Sequence, residues 1–179
     1  NDVPVLAGLE AGALAYTESD LPANMSATIE VSDADFMTDA ELPFATVTIT
    51  AGLTEGDELA YTAGNADIAA NYVSGVLTLT GTNVAVADWQ AALRSVTFQS
   101  SSEDPTNTER TVSFVITDNS NAGSTPVVRI VAVAPVNDVP VLGDVEATSL
   151  AYTENDPATV VSDTITAVDL DSVSDAVLP

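Results

Sequence analysis

Carboxylates are the abundant reactive side chains of this sequence, and they recur in pairs. Asp33-Ala34-Asp35 returns as Asp169-Leu170-Asp171, and Tyr16-Thr17-Glu18 with Asp20 returns as Tyr152-Thr153-Glu154 with Asp156. Asn1-Asp2 precedes the first set, Asn137-Asp138 precedes the second, and Asp118 closes the alternating stretch Thr111 to Thr117. Hard cations such as Ca²⁺ take about six to eight oxygens at roughly 2.3–2.6 Å, from carboxylates, Asn side chains and backbone carbonyls. A D-x-D pair offers two carboxylates from one turn, with a carbonyl close by. A lone pair of this kind is commonly a solvated turn. Its repetition beside a junctional Asn-Asp favours calcium.

The recurrence has a single offset. Asn1 to Asn137 and Leu14 to Leu150 are both 136 positions apart, and residues 1–43 match 137–179 at 23 of 43 positions. The chain therefore reads as one complete module, residues 1–136, followed by the first part of a second, 137–179. A period this long exceeds any solenoid turn, so each repeat is expected to be a domain with its own core. The chain begins with Asn and shows no signal-peptide pattern, which reads as a fragment of a longer chain.

Within the repeat, apolar residues alternate as strands do. Ala45, Val47 and Ile49 interleave with Thr; Val112, Phe114 and Ile116 interleave with polar residues; Val128, Ile130 and Ala132 interleave with Arg129 and Val131. Gly, Asn, Asp and Pro punctuate them. The expectation is an all-β, antiparallel Greek-key sandwich, in tandem. Val86, Trp89, Ala92 and Leu93 fall at helical spacing, which predicts one short helix over Ala85 to Leu93 with Trp89 in the core. Ten extended residues span roughly 33 Å, so a strand between Glu18 and Asp33 would put them at opposite poles. Glu18 would then serve the junction with Asn137, Asp138, Asp169 and Asp171. Asn1, Asp2, Asp33, Asp35 and Asp118 would serve the upstream junction, and Glu154 the downstream one.

Composition narrows function. There are 3 Lys+Arg against 27 Asp+Glu, a net charge of −24, with no Cys and no His. Such a surface repels nucleic acid and anionic lipid. Thiolate and imidazole metal sites, Cys or His catalysis and disulfides are excluded. A 46% hydrophobic content separates the chain from acidic disordered sequences. Carboxylates alone could run a glycosidase, but only as an opposed pair in a cleft. Repetition at domain poles fits metal ligation better, and no enzyme is expected.

The order of these motifs resembles cadherin repeats. It is more closely similar to the cadherin-like tandem modules of large bacterial RTX-type surface adhesins, secreted by type I systems. The resemblance is carried by NDVPVL, YTESD and YTEND, the two D-x-D pairs, LTLTGTNVAVADWQAALRSVTF, RTVSFVITD and VNDVPVL, and it covers essentially the whole chain. It implies that Ca²⁺ is held by Glu18, Asn137, Asp138, Asp169 and Asp171, and that Asp118 faces the upstream junction. Asp118 is followed by Asn119-Ser120 rather than Gly, a departure from the cadherin pattern. The implied role is a non-catalytic, calcium-rigidified extracellular spacer at a bacterial surface, in adhesion and biofilm. Its partners would be neighbouring repeats, with no nucleic acid and no membrane insertion. Alternatives are a carbohydrate-binding module using Tyr61 and Tyr72, or homotypic assembly into a filament or surface layer.

Overall fold

The computed structural model describes residues 2–34 and 42–171. Asn1 and Asp35 lie outside them. The chain divides into two compact units, Asn1–Pro135 and Val136–Pro179.

The first unit is a β-sandwich-like body. Its strands are β1 (Val5–Ala7), β2 (Leu14–Thr17), β3 (Ala23–Asn24), β4 (Glu30–Ser32), β5 (Phe44–Ala51), β6 (Asp57–Tyr61), β7 (Ile68–Val73), β8 (Val76–Gly81), β9 (Val96–Ser100), β10 (Arg110–Thr117) and β11 (Val127–Ala134). One sheet runs β2-β11-β10-β5-β8-β7, a second β3-β9-β6, and β1 pairs with β4. Ala45, Val47, Ile49, Val112, Phe114 and Ile116 are all buried, as their alternation requires. Leu77, Leu79, Leu59, Val96 and Phe98 complete the apolar interior. The 3₁₀-free helix α1 (Val86–Arg94) starts from Ala85 and buries Trp89, Ala92 and Leu93, so the tryptophan is a core residue.

Three features differ from the sequence expectation. β11 buries Val131 and Val133 while Val128 is exposed. Its nearly continuous apolar run leaves the inward face undecided by pattern. Pairing decides it, because Val131 lies opposite Arg110 and Val127 opposite Phe114. Second, β2 joins β11 in parallel; strands so distant in sequence are not bound to the antiparallel sense that a tight hairpin imposes. Third, Glu18 to Asp33 is no single strand. The Ile29 N–H donates to Ser26 Oγ at 2.9 Å, and the Ser26 hydroxyl donates to the Glu10 carboxylate at 2.6 Å, which turns the chain between β3 and β4.

Turn chemistry fixes the hairpins. Gly52 follows β5 at φ +74°, where an added Cβ would stand 2.1 Å from the Glu109 carbonyl oxygen. Only glycine lets the chain pass there. Ser74 and Gly75, both at positive φ, make the two-residue turn between β7 and β8.

In the second unit, β12 (Val141–Gly143) pairs with β13 (Thr166–Val168). Their register, Val141 to Val168 and Leu142 to Ala167, is that of Val5 to Ser32 and Leu6 to Val31 advanced by 136. No helix among the described residues is long and apolar enough to cross a membrane.

Candidate metal centre

Glu18 is held by the turn that follows β2. The Thr17 N–H donates to Asp20 Oδ2 at 2.9 Å, and the Tyr16 hydroxyl donates to the Asp20 carbonyl at 2.9 Å. The intervening Ser19 takes φ +64°. Asp20 is thus the clamp of a tight turn, and Glu18 rides at its tip. Parallel pairing of Thr17 with Ala134 continues into a bond from the Glu18 N–H to the Ala134 carbonyl, at 2.9 Å. Glu18 is therefore fastened to the last residue of β11. It is buried.

In the second unit the Asp138 N–H donates to Asp171 Oδ2. Asp171 is buried, and its own N–H donates to Asp169 Oδ1 at 3.2 Å. The second D-x-D pair and the Asn-Asp dipeptide, 33 residues apart, are thus tied together. The Asn137 side chain donates to the Asp138 carbonyl at 2.6 Å. Asp138 Oδ2 is enclosed and accepts no hydrogen bond among the described residues. Within the second unit, Asp138 and Asp171 are thereby two neighbouring carboxylates that could serve a metal ion.

The remaining predicted ligands divide by position. Asp118 is buried just beyond β10, where its Oδ1 accepts from the Ser120 hydroxyl at 2.9 Å and the Ala122 N–H at 2.8 Å. Because Phe114 pairs with Val127 at the start of β11, Asp118 and Glu18 stand at opposite ends of that strand. Asp33 is half-buried directly after β4, next to the residue paired with Val5, and Asp2 is exposed at the entry to β1. Glu154 is exposed in a turn whose clamp, Asp156, repeats that of Asp20: Thr153 N–H to Oδ2 at 3.1 Å and Tyr152 hydroxyl to carbonyl at 2.8 Å.

Two further carboxylates have structural duties. Asp57 is paired with Arg110 at 2.9 Å, both side chains fully buried. The Arg110 guanidinium also donates to Thr54 Oγ1 at 2.6 Å and to the Thr106 carbonyl at 2.7 Å. Burial disfavours the charge on Glu10, but the Ser26 hydroxyl, the Ala27 N–H and Arg129 outweigh it and hold its pKa at about 2. Spacing gave no sign of the Arg110–Asp57 pair, whose members lie 53 residues apart. The tyrosines offered to glycans are engaged as well. The Tyr72 hydroxyl donates to the Asp57 carbonyl at 2.8 Å, and the Tyr61 hydroxyl accepts from the Asn65 N–H at 3.0 Å.

No family model, curated protein or solved structure matches the chain.

Proposed function

We propose that the protein is a calcium-rigidified, non-catalytic spacer module of the cadherin-like kind, working outside the cell in a bacterial surface adhesin. The observation that carries this reading is the tie between Asp138 and Asp171 in the second unit, which gathers two of the expected ligands. Connectivity supports it. Glu18 is bonded to Ala134, and only three residues separate Ala134 from Asp138, whose N–H is held by Asp171. With Glu18 as the third ligand, carboxylates gathered at this junction without a cation would repel one another. At 4 Å each like-charged pair costs about 4 kcal/mol at an effective dielectric near 20. A divalent cation turns that cost into ligation. Three carboxylates with neighbouring carbonyl oxygens suit the high coordination number and loose geometry of Ca²⁺ better than the strict octahedron of Mg²⁺.

The test is calorimetric titration of the metal-free chain with CaCl₂ and, separately, MgCl₂, repeated on Asp138→Asn/Asp171→Asn. Saturable calcium binding that the double variant loses, with magnesium much weaker, is the expected result. Equal heats from parent and variant would remove these residues from the ligand set. Scattering from a chain of two complete repeats then tests rigidity: calcium should lengthen and stiffen it.

A further inference from the structure

The outer edge of the six-stranded sheet departs from the rest of the molecule in charge. Residues 68–87 form the longest stretch without Asp, Glu, Lys or Arg, twenty residues in a chain of charge −24. This stretch is the β7–β8 hairpin and the start of α1. Among the described residues β7 ends the sheet order, with β8 as its one neighbour. Ala69, Ala70 and Asn71 are exposed in succession, so both faces of the strand are open at its centre.

The hairpin geometry says which backbone groups face outward. With a two-residue turn, Val73 and Val76 share ladder bonds, and so in alternation do Asn71 with Thr78 and Ala69 with Thr80. Ala70 and Tyr72 therefore aim N–H and C=O away from β8. The Ile68 N–H, on the same side, reaches the Asn65 carbonyl at 3.2 Å instead of β8. Natural sheets guard such edges with charge, proline or a bulge. Between Ile68 and Val73 there is no charge and no proline, and the pairing with β8 runs without a register shift.

We propose that β7 pairs, antiparallel and about a two-fold axis, with β7 of a second copy of this chain. Charge selects that occupant. Two surfaces of the same strongly negative molecule repel wherever carboxylates face each other, and this neutral edge is where they do not. The strand is also self-complementary. With Asn71 opposite its own counterpart, Ala70 and Tyr72 of each copy exchange hydrogen bonds, and the small Ala69 and Ala70 side chains leave room for close approach. One sheet then runs through both copies. The pairing is independent of the calcium reading, since no carboxylate takes part.

Sedimentation of the full chain in EDTA tests it, with protein from micromolar to millimolar, at about 0.15 M and about 1 M NaCl. The higher salt shortens the Debye length from about 8 Å to about 3 Å. The expected result is a species of twice 18.3 kDa whose midpoint falls at least severalfold in the higher salt. Ala70→Pro removes an outward N–H and leaves the β8 ladder whole, so it should be monomeric with an unchanged β-sheet spectrum. Asn71→Asp, which sets two carboxylates face to face, should weaken the dimer at low salt and recover at high salt. The chain has no cysteine, so Asn71→Cys should yield a disulfide-linked dimer on mild oxidation, because a non-hydrogen-bonded antiparallel pair sits about 4.5 Å apart at Cα. A monomer under every condition overturns the proposal. So does a dimer that Ala70→Pro and Asn71→Asp leave intact, or growth beyond two copies, which would mean unlike edges joining.

Discussion

Tyr16 and Tyr152 make the same bond in different surroundings. Each hydroxyl donates to the carbonyl four residues on, at 2.9 and 2.8 Å. Tyr16 is 2% exposed and Tyr152 59%. The Glu10 clasp on the Ala27 N–H, at 2.8 Å, recurs as Glu146 on the Asp163 N–H, at 3.0 Å. Positive φ recurs at Gly8 and Asp144, and at Ser19 and Asn155. The β1–β4 pairing recurs as β12–β13, but pairing with later strands does not. β2 lies on β11 and β3 on β9, whereas residues 150–153 and 159–160 form no strand. Short-range hydrogen bonds are thus written into residues 1–34 and their copies, while edge strands form only where a partner strand is present.

The largest break in the comparison is expected at the tyrosines. Tyr16 meets Phe98 edge-on at 5.2 Å between ring centres, and its hydroxyl accepts from the Ser100 N–H at 3.2 Å. Tyr16→Ala should cost about 3–5 kcal/mol in urea unfolding followed by Trp89 fluorescence. Tyr152→Ala should change the same transition by less than about 0.5 kcal/mol. Comparable losses at both would mean that Tyr152 is packed as Tyr16 is.

Calcium separates the two glutamates next. At 100 times its dissociation constant, an ion bound by the folded form alone adds about 2.7 kcal/mol. Glu18→Gln should remove most of that gain, and Glu154→Gln should retain it. Melting with and without calcium reads the difference; equal gains in the two variants would sever Glu18 from the site.

The smallest effect concerns acid. Glu10 is held at about 2, below the ordinary glutamate value of 4.5. A carboxylate with a depressed folded pKa stabilises fully above about 4.5, and that contribution disappears as pH falls towards 2. Glu10→Gln should cost about 1 kcal/mol near neutrality and flatten the pH dependence of unfolding across that window. Glu146 is also held at about 2, by the Ser162 hydroxyl first and then backbone N–H groups. Glu146→Gln should leave the unfolding of the first unit unchanged at every pH. A flattened curve there would contradict the local character of this clasp.

Legibility in the sequence followed the range of the interaction. Strands β5 and β10 were readable because Thr and Ser alternate with their apolar residues, and α1 because its apolar residues keep a helical period. β11 was not, since an almost wholly apolar strand has no polar phase to mark its faces. The acidic motifs were readable through repetition, and the bond between Asp138 and Asp171 joins two of them. The clamp role of Asp20 is available in the Y-T-E-x-D spacing, but composition alone marks it only as one more acidic group. Arg110 with Asp57, and Tyr16 with Ser100, were hidden because folding alone brings those positions together.

The parallel pairing of β2 with β11 has a mechanical consequence. The chain enters β2 at Leu14, opposite Val131, and leaves β11 at Ala134, opposite Thr17. Tension applied through the two ends of the first unit therefore drags these strands past each other along their length. The load falls on their hydrogen bonds together, as shear, instead of opening them one after another like a zip. Glu18, bonded to Ala134 at the point of exit, adds its link where the pull is transmitted.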